Sequence, residues 1–243
     1  MDPDKPLSTV YHRNITRLPE LTLARRVFRK VIHGIGHVVV HIFTRIQESG
    51  FENIPANGPA LIVFNHLGDS DVIIGGAMLP VQAEALAKVE LFDLPFIGKF
   101  LDAYGVIWIH RGQPDRKALR TALRGLDEGR FIAIAPEARE STTGGLEPGT
   151  EGAAYLALKA AAAVVPITLT GTENWRIFGN MKRFQRTRVT MRVGTCFYLD
   201  QEADFRSSVK KGTEKIMVAL ANQLPENYRG AYQHHPEVAV GRE

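Results

Sequence analysis

The sequence predicts an α/β fold: a mostly parallel central sheet flanked by helices, with an N-terminal amphipathic helical segment. Two observations predict it. After residue 50, short apolar runs alternate with amphipathic stretches of helical period, the rhythm of strand–helix–strand units. The 243 residues, 44% hydrophobic and 23% charged, suffice for one large core with an N-terminal appendage, not two equal domains.

Residues 1–20 carry Pro3, Pro6 and Pro19 among small and charged residues and are expected to be an irregular start. They hold no apolar segment of the kind a secretory signal needs. Residues 21–48 predict an amphipathic helix at a membrane interface, its helical pattern running over 21–46. Val27, Val31, Ile35, Val38, Ile42 and Ile46 fall on one side, while Arg26, Arg29, Lys30, His33, His37 and His41 fall largely on the other. The longest charge-free stretch, 31–44, is shorter than the roughly 20 residues a bilayer crossing needs. The pattern suits a helix lying in the interface plane with its cations near anionic headgroups, and it suits equally a helix packed on the domain core. His33, His37 and His41 recur at i and i+4, yet no Asp, Glu or Cys joins them at helical spacing, so no metal is expected.

Residues 49–224 form the main domain. The stretches 61–64, 106–109, 131–135, 164–169 and 189–193 read as strands, and about 71–79, 96–103, 115–127, 152–163 and 208–223 read as helices. Pro114 and Asp115 suit the start of one helix and Gly129 its end. Residues 225–243 are polar and expected to be a peripheral tail. The single Cys196 cannot form an internal disulfide, which fits a reducing, cytoplasmic setting. A net charge of +4 is too modest to signal a polyanionic partner. The basic segment Lys182, Arg183, Arg186, Arg188 and Arg192 comes with no recognised nucleic-acid motif, so no nucleic-acid partner is expected.

The apolar run 60–64 leads into Asn65-His66-Leu67-Gly68-Asp69-Ser70-Asp71. A histidine at a strand end can present its imidazole at a surface. A carboxylate five residues on, Asp71, can hold one ring nitrogen and leave the other to take a proton. The same turn would also serve if Asp71 merely capped the following helix. Asp69 suits turn capping better than pairing with His66. Further on, 105–111 is a strand delivering Arg111, and 135–141 carries Glu137 and Arg139 into a loop. Val165-Pro166-Ile167 lies in a late apolar strand. Loops beyond strand ends bind ligands in open α/β sheets, and the guanidinium fork of Arg111 or Arg139 matches a phosphate.

In order and spacing, over about residues 50–200, these blocks resemble the four signature motifs of the glycerolipid acyltransferase family, which comprises 1-acylglycerol-3-phosphate and other lysophospholipid acyltransferases of the His-x4-Asp type. The resemblance implies a catalytic pair in His66 and Asp71 and a phosphate-contacting Arg111. It matches Pro136-Glu137 to the third block and Val165-Pro166-Ile167 to the fourth. Lys88-Val89-Glu90-Leu91 is similar to the family's Lys-x-x-Leu segment, which adds Lys88 to the pocket. The implied reaction moves a fatty acyl group from acyl-CoA or acyl carrier protein to a lysophospholipid hydroxyl, first of all that of 1-acylglycerol 3-phosphate, giving phosphatidic acid. His66 would be the general base and Asp71 would fix its tautomer. Arg111, Arg139 and Lys88 would anchor the acceptor's phosphate, and Glu137 would position its glycerol or hold the arginines. No cofactor or metal is implied. The partners are the lipid acceptor, the thioester donor and the cytoplasmic membrane surface, met as a peripheral or monotopic protein. No covalent nucleophile is expected, because Cys196 lies away from the motifs and no Gly-x-Ser-x-Gly elbow occurs. The alternatives are another acceptor (a different lysophospholipid, glycerol 3-phosphate or a lyso-aminolipid) and a catalytically weak lipid-binding protein of the same fold.

The third block departs from the family's usual Phe-Pro-Glu-Gly-Thr-Arg-Ser. Ala138 stands where the glycine sits, Arg139 comes one place early, and Glu140 takes the usual arginine position. Thr150 falls where many members have a lysine, with Gly152 matching the glycine that follows it. These changes predict less positive charge around the acceptor, and strain at residue 138 if its backbone needs φ > 0.

Overall fold

The computed structural model describes residues 15–110 and 115–239. In chain order its elements are α1 (Leu23–Phe43), β1 (Thr44–Ser49), β2 (Ala60–Phe64), α2 (Asp69–Met78), β3 (Ala83–Lys88), α3 (Ile97–Tyr104), β4 (Ile107–Ile109), α4 (Arg116–Asp127), β5 (Phe131–Ile134), α5 (Gly152–Lys159), β6 (Ala163–Thr170), α6 (Asn174–Lys182), β7 (Thr187–Val193) and α7 (Phe205–Gln223). The strands form one sheet in the order β1-β7-β6-β2-β5-β3-β4. From β6 to β4 every neighbour is parallel; β7 reverses against β6, and β1 runs parallel to β7.

β2 sits mid-sheet between β5 and β6, and its unbroken apolar sequence follows from burial on both faces. Leu61 and Val63 pack under α4, α5 and α7 with Leu126, Leu156 and Leu220. Ala60 and Ile62 turn to the other face, where Val40 of α1, Ile74 and Met78 of α2 and Ile177 of α6 complete a second core. Because β6, β2, β5, β3 and β4 run parallel, their C-terminal ends line one edge of the sheet. The loops that leave that edge hold the motif residues.

The sequence reading differs from the structure in four places. α1 stops at Phe43 and residues 44–49 turn into edge strand β1, so Ile46 belongs to no helix. β3 and α6 were not expected. The tail is not peripheral: Tyr232 and Val238 enter the core, and the Leu146 N–H and carbonyl bond Tyr228 and Ala231 at 2.9 Å each. Residues 15–20 lack regular structure but are packed, with Ile15 and Thr16 buried.

Among the described residues, no helix is long and apolar enough to cross a membrane. The polarity of α1 is inverted relative to a core-packed helix. Its apolar stripe points outward, with Val27, Val31, Ile35, Val38 and Ile42 each 52–58% exposed, while Arg29 is 1% exposed. The Arg29 guanidinium donates to Glu84 at 3.1 Å and to the carbonyls of Tyr104 and Gly105. That charge therefore docks the helix on the domain instead of meeting headgroups. His33 is likewise turned inward, its Nε2 2.9 Å from the Leu79 carbonyl.

Candidate active site

His66 leaves the end of β2 and its ring stops 3.1 Å, Nδ1 to Oδ2, from Asp71. The same carboxylate oxygen accepts the N–H groups of Leu67 at 2.5 Å and Gly68 at 2.9 Å. Asp71 is the third residue of α2, so one oxygen both satisfies N–H groups at the start of the helix and holds the histidine. Where Nδ1 donates to this oxygen, Nε2 is the ring nitrogen turned away from Asp71. Asp69, two residues earlier, is exposed. Gly68 is required by close approach: a Cβ there would lie 2.6 Å from Oδ1 of Asn174, the first residue of α6.

The turn is laced to its neighbours through the backbone. Asn65, which the sequence reading left without a role, uses its side-chain amide to bridge the N–H and carbonyl of Leu169 on β6, at 2.8 and 2.9 Å. On the β5 side, Glu137 Oε1 accepts the N–H of His66 at 2.9 Å and Oε2 accepts that of Glu147 at 2.7 Å. The carboxylate expected to position the acceptor or hold the arginines is instead turned inward. Burial pushes its pKa up to about 7, against the pull of the two N–H bonds and of His66. Ser141 completes the lacing by donating its N–H to the His66 carbonyl at 2.7 Å.

The expected cations meet carboxylates. Arg139 is tied to Glu147 at 2.5 Å through Nε and Nη2, with its side chain 59% exposed. Burial tends to raise Glu147, but the N–H and hydroxyl of Thr142 and the guanidinium of Arg139 outweigh it and hold its carboxyl below the usual range. Lys88, at the end of β3, lies 3.8 Å from Glu140, and Glu140 reaches Asn174 at 3.5 Å. A relay of contacts thus runs from Lys88 through Glu140 and Asn174 to Gly68. Ala138 adopts φ +59°, the left-handed conformation for which a glycine is suited. Thr150 donates both its N–H and its hydroxyl to the Pro136 carbonyl, at 2.7 and 2.8 Å. Arg111 lies outside the described residues. Neither Glu147 nor Asn174 carried a sequence signal: Glu147 pairs within the 137–147 loop at no motif spacing, and Asn174 acts through Glu140 and Gly68, distant in the chain.

An apolar cavity of about 190 Å³ lies between the sheet and helices α1, α2 and α3 and reaches the His66 turn at Asp71. Its walls include Ile32 and Gly36 of α1, Phe64 at the end of β2, and Phe100 of α3. The site therefore sets a buried His–Asp pair beside an apolar cavity. Among the described residues no group of three or more His, Cys, Asp or Glu side chains is placed to hold a metal ion.

Known proteins are similar to this chain in sequence and in fold. The chain is 28% identical over 173 residues to a 1-acyl-sn-glycerol-3-phosphate acyltransferase of Bacillus subtilis, covering 71% of this chain and 82% of that protein. It is 31% identical over 135 residues to the Borreliella burgdorferi protein of the same name, covering 55% and 54%, so it spans about half of that relative's length. Its fold is similar to the crystal structure of the 1-acyl-sn-glycerophosphate acyltransferase PlsC from Thermotoga maritima, with a TM-score of 0.64 at 21% identity over 79% of this chain and 78% of that one. Residues 45–170, which contain the His66 turn, the 136–149 loop and all the central strands, match the family model described as Acyltransferase; the chain belongs to the acyltransferase family.

Proposed function

We propose that this chain transfers a fatty acyl group from acyl-CoA or acyl carrier protein to the free hydroxyl of a lysophospholipid, above all 1-acylglycerol 3-phosphate, giving phosphatidic acid. It does so at the cytoplasmic face of a membrane. The observation that carries the proposal is the buried His66–Asp71 pair set against an apolar cavity that reaches Asp71. The names of the relatives support the acceptor.

In this reading the acyl chain occupies the cavity and the thioester carbonyl lies beside His66. Nε2 takes the proton of the acceptor hydroxyl as its oxygen bonds to the carbonyl carbon. Asp71 holds the ring and stabilises the imidazolium, the supporting role an aspartate plays in a hydrolase triad. The tetrahedral carbon then expels the thiolate, which recovers the proton from His66. Arg111, Arg139 and Lys88 anchor the acceptor's phosphate, while Glu137 acts through the backbone by fixing where His66 stands. The outward apolar stripe of α1 lies in the interface plane of the bilayer.

The test is thiol release from a long-chain acyl-CoA by the purified chain, with and without 1-acylglycerol 3-phosphate, beside His66→Ala. Release that requires the acceptor and is lost in the variant is the expected result. Release by the wild type that ignores every lyso-lipid, from both acyl-CoA and acyl carrier protein, would sink the proposal.

A further inference from the structure

The segment around α6 has no part in the proton transfer. Residues 174–199 contain six Arg or Lys and no Asp or Glu. Along α6, Trp175, Phe178 and Met181 recur every third residue, 77%, 43% and 37% exposed, while Ile177 turns into the core. The helix ends with the N–H of Phe184 bonded to the Met181 carbonyl and that of Gln185 to the Asn180 carbonyl. This places Phe184 at φ +55° with 97% of its surface exposed. α4 ends on the same two bonds, with Gly129 at φ +74° in the corresponding place, the residue this motif prefers. α6 therefore puts a phenylalanine where backbone strain favours glycine, and holds its ring in solvent.

The cations of the segment divide by face. Val189, Met191 and Val193 of β7 turn into the core that α6 shares, so Arg188 and Arg192 project from the opposite face of the strand. Arg176, Lys182, Arg183 and Arg186 stay with α6. Arg186 donates through Nε and Nη2 to the Thr44 carbonyl at the end of α1, at 2.9 and 2.7 Å, which joins the exit of α6 to the helix bearing the other outward apolar stripe. α2 lies beside both helices and exposes Val72 and Ile73. At its other end α6 begins against Gly68.

We propose that α6 and the turn after it are a second membrane-docking element, specific for an anionic bilayer. Trp175, Phe178, Met181 and Phe184 enter the acyl region, and Lys182 and Arg183 meet headgroup phosphates, while Arg176 pairs with Glu173 at 3.8 Å. The charge selects the occupant: a cation-rich, carboxylate-free segment around an aromatic stripe complements anionic lipid. Because α6 starts against the His66 turn, docking through it brings that turn to the bilayer surface. The inference rests on the lipid acyltransferase reading only in placing the site at a membrane.

The chain has two tryptophans; Trp108 is fully buried and Trp175 is not, so tryptophan emission reports on α6. With full-length chain and phosphatidylcholine vesicles containing phosphatidylglycerol, Trp175 emission is expected to shift to the blue and to be quenched by brominated acyl chains. Both effects should vanish in Trp175→Phe and without phosphatidylglycerol. Lys182→Glu with Arg183→Glu should weaken partition about ten-fold or more. Phe184→Gly should weaken it several-fold with Tm unchanged or raised, whereas a ring that serves folding would lower Tm when removed. Vesicle binding with unchanged Trp175 emission would overturn the proposal in favour of docking by α1 alone. An emission change that follows protein concentration without lipid, or that needs a nucleic-acid duplex, would overturn it too. No partition at all would remove the membrane component of both readings, and thiol release in detergent micelles tests acyl transfer independently.

Discussion

The chain contains His-x4-Asp twice, and in both copies the histidine Nδ1 meets the aspartate at nearly the same distance. His110 leaves the end of β4 with Nδ1 3.0 Å from Asp115 Oδ2, as His66 leaves β2 with Nδ1 3.1 Å from Asp71. The aspartates serve the following helices from different positions: Asp71, inside α2, accepts the N–H groups of Leu67 and Gly68 that precede it, whereas Asp115 precedes α4 and accepts those of Lys117 and Ala118. The spacing is thus a strand-to-helix capping device first. What separates the copies is place. His66 stands mid-sheet, its backbone fixed by Glu137 and Ser141 and its aspartate against the apolar cavity. His110 stands on the edge strand, and its own N–H returns to Asp115 at 3.0 Å. In the proposed mechanism, the motif takes part in chemistry only where the fold sets it against a cavity that can take the substrate.

The largest expected effect breaks the symmetry between the copies. His66→Ala should lower kcat by about 10²–10⁴-fold, the usual range for losing a general base, and cost about 1 kcal/mol or more of stability for the buried hydrogen bond to Asp71. His110→Ala should leave kcat within about ten-fold and cost about 1 kcal/mol of stability, the worth of one hydrogen bond. Thiol release and urea unfolding of both variants check this. Comparable losses of kcat in the two would mean that the edge turn also takes part in the chemistry.

Next comes Glu137, which the His66 turn has and the His110 turn lacks. Burial raises its pKa to about 7 from the ordinary 4.5, so between those values the folded chain holds a proton that the unfolded chain has released. The stability this contributes is fully present below about pH 4.5 and is lost as the pH rises through 7. Glu137→Gln cannot titrate and should itself cost about 1–3 kcal/mol, because its amide NH2 faces a backbone donor. The wild type's stability advantage over the variant should shrink from about pH 5 to pH 8 in urea titrations. Parallel pH curves for the two proteins would show that Glu137 is ionised throughout.

These residues also mark how far the sequence could be read. The central strands were legible because burial on both faces forces unbroken apolar runs, and α4 because Asp115 and Gly129 punctuate it. β1 was not, since among its six residues only Thr44 is buried. β3 is built from Ala, Glu, Leu and Lys, residues with helical propensity that pairing with β4 and β5 overrides. The periodicity of α1 separated its two faces but not their surroundings, so the inward turn of Arg29 could not be foreseen. In the site, spacing marked His66, Asp71 and Glu137. It could not show that the Glu137 oxygens go to backbone N–H groups, because those partners are tertiary.

Ala138 concerns the loop that laces the His66 turn. At φ +59° an alanine bears left-handed strain of about 1 kcal/mol or slightly more, part of which glycine returns through its freedom in the unfolded chain. Ala138→Gly should therefore raise stability by up to about 1 kcal/mol without altering kcat. A destabilised variant would show that the methyl group packs usefully despite the backbone.

The smallest effect tests the acceptor end of the relay. Glu140 lies 3.8 Å from Lys88, their side chains 32% and 29% exposed, so the pair is worth less than about 1 kcal/mol. If Lys88 binds the acceptor's phosphate, Glu140 competes with that phosphate for the ammonium. Glu140→Gln should then lower KM for 1-acylglycerol 3-phosphate about two- to five-fold and leave kcat unchanged. Lys88→Met should raise KM and abolish the effect of the Glu140 change, because the competitor would have nothing left to compete for. An acceptor without a phosphate monoester should show neither response. If Glu140→Gln leaves KM where it was, Lys88 is no ligand of the phosphate, and Glu140 matters only for the contact that seats Asn174 against Gly68. In that case the variant should lower kcat instead, because what it loosens is the His66 turn.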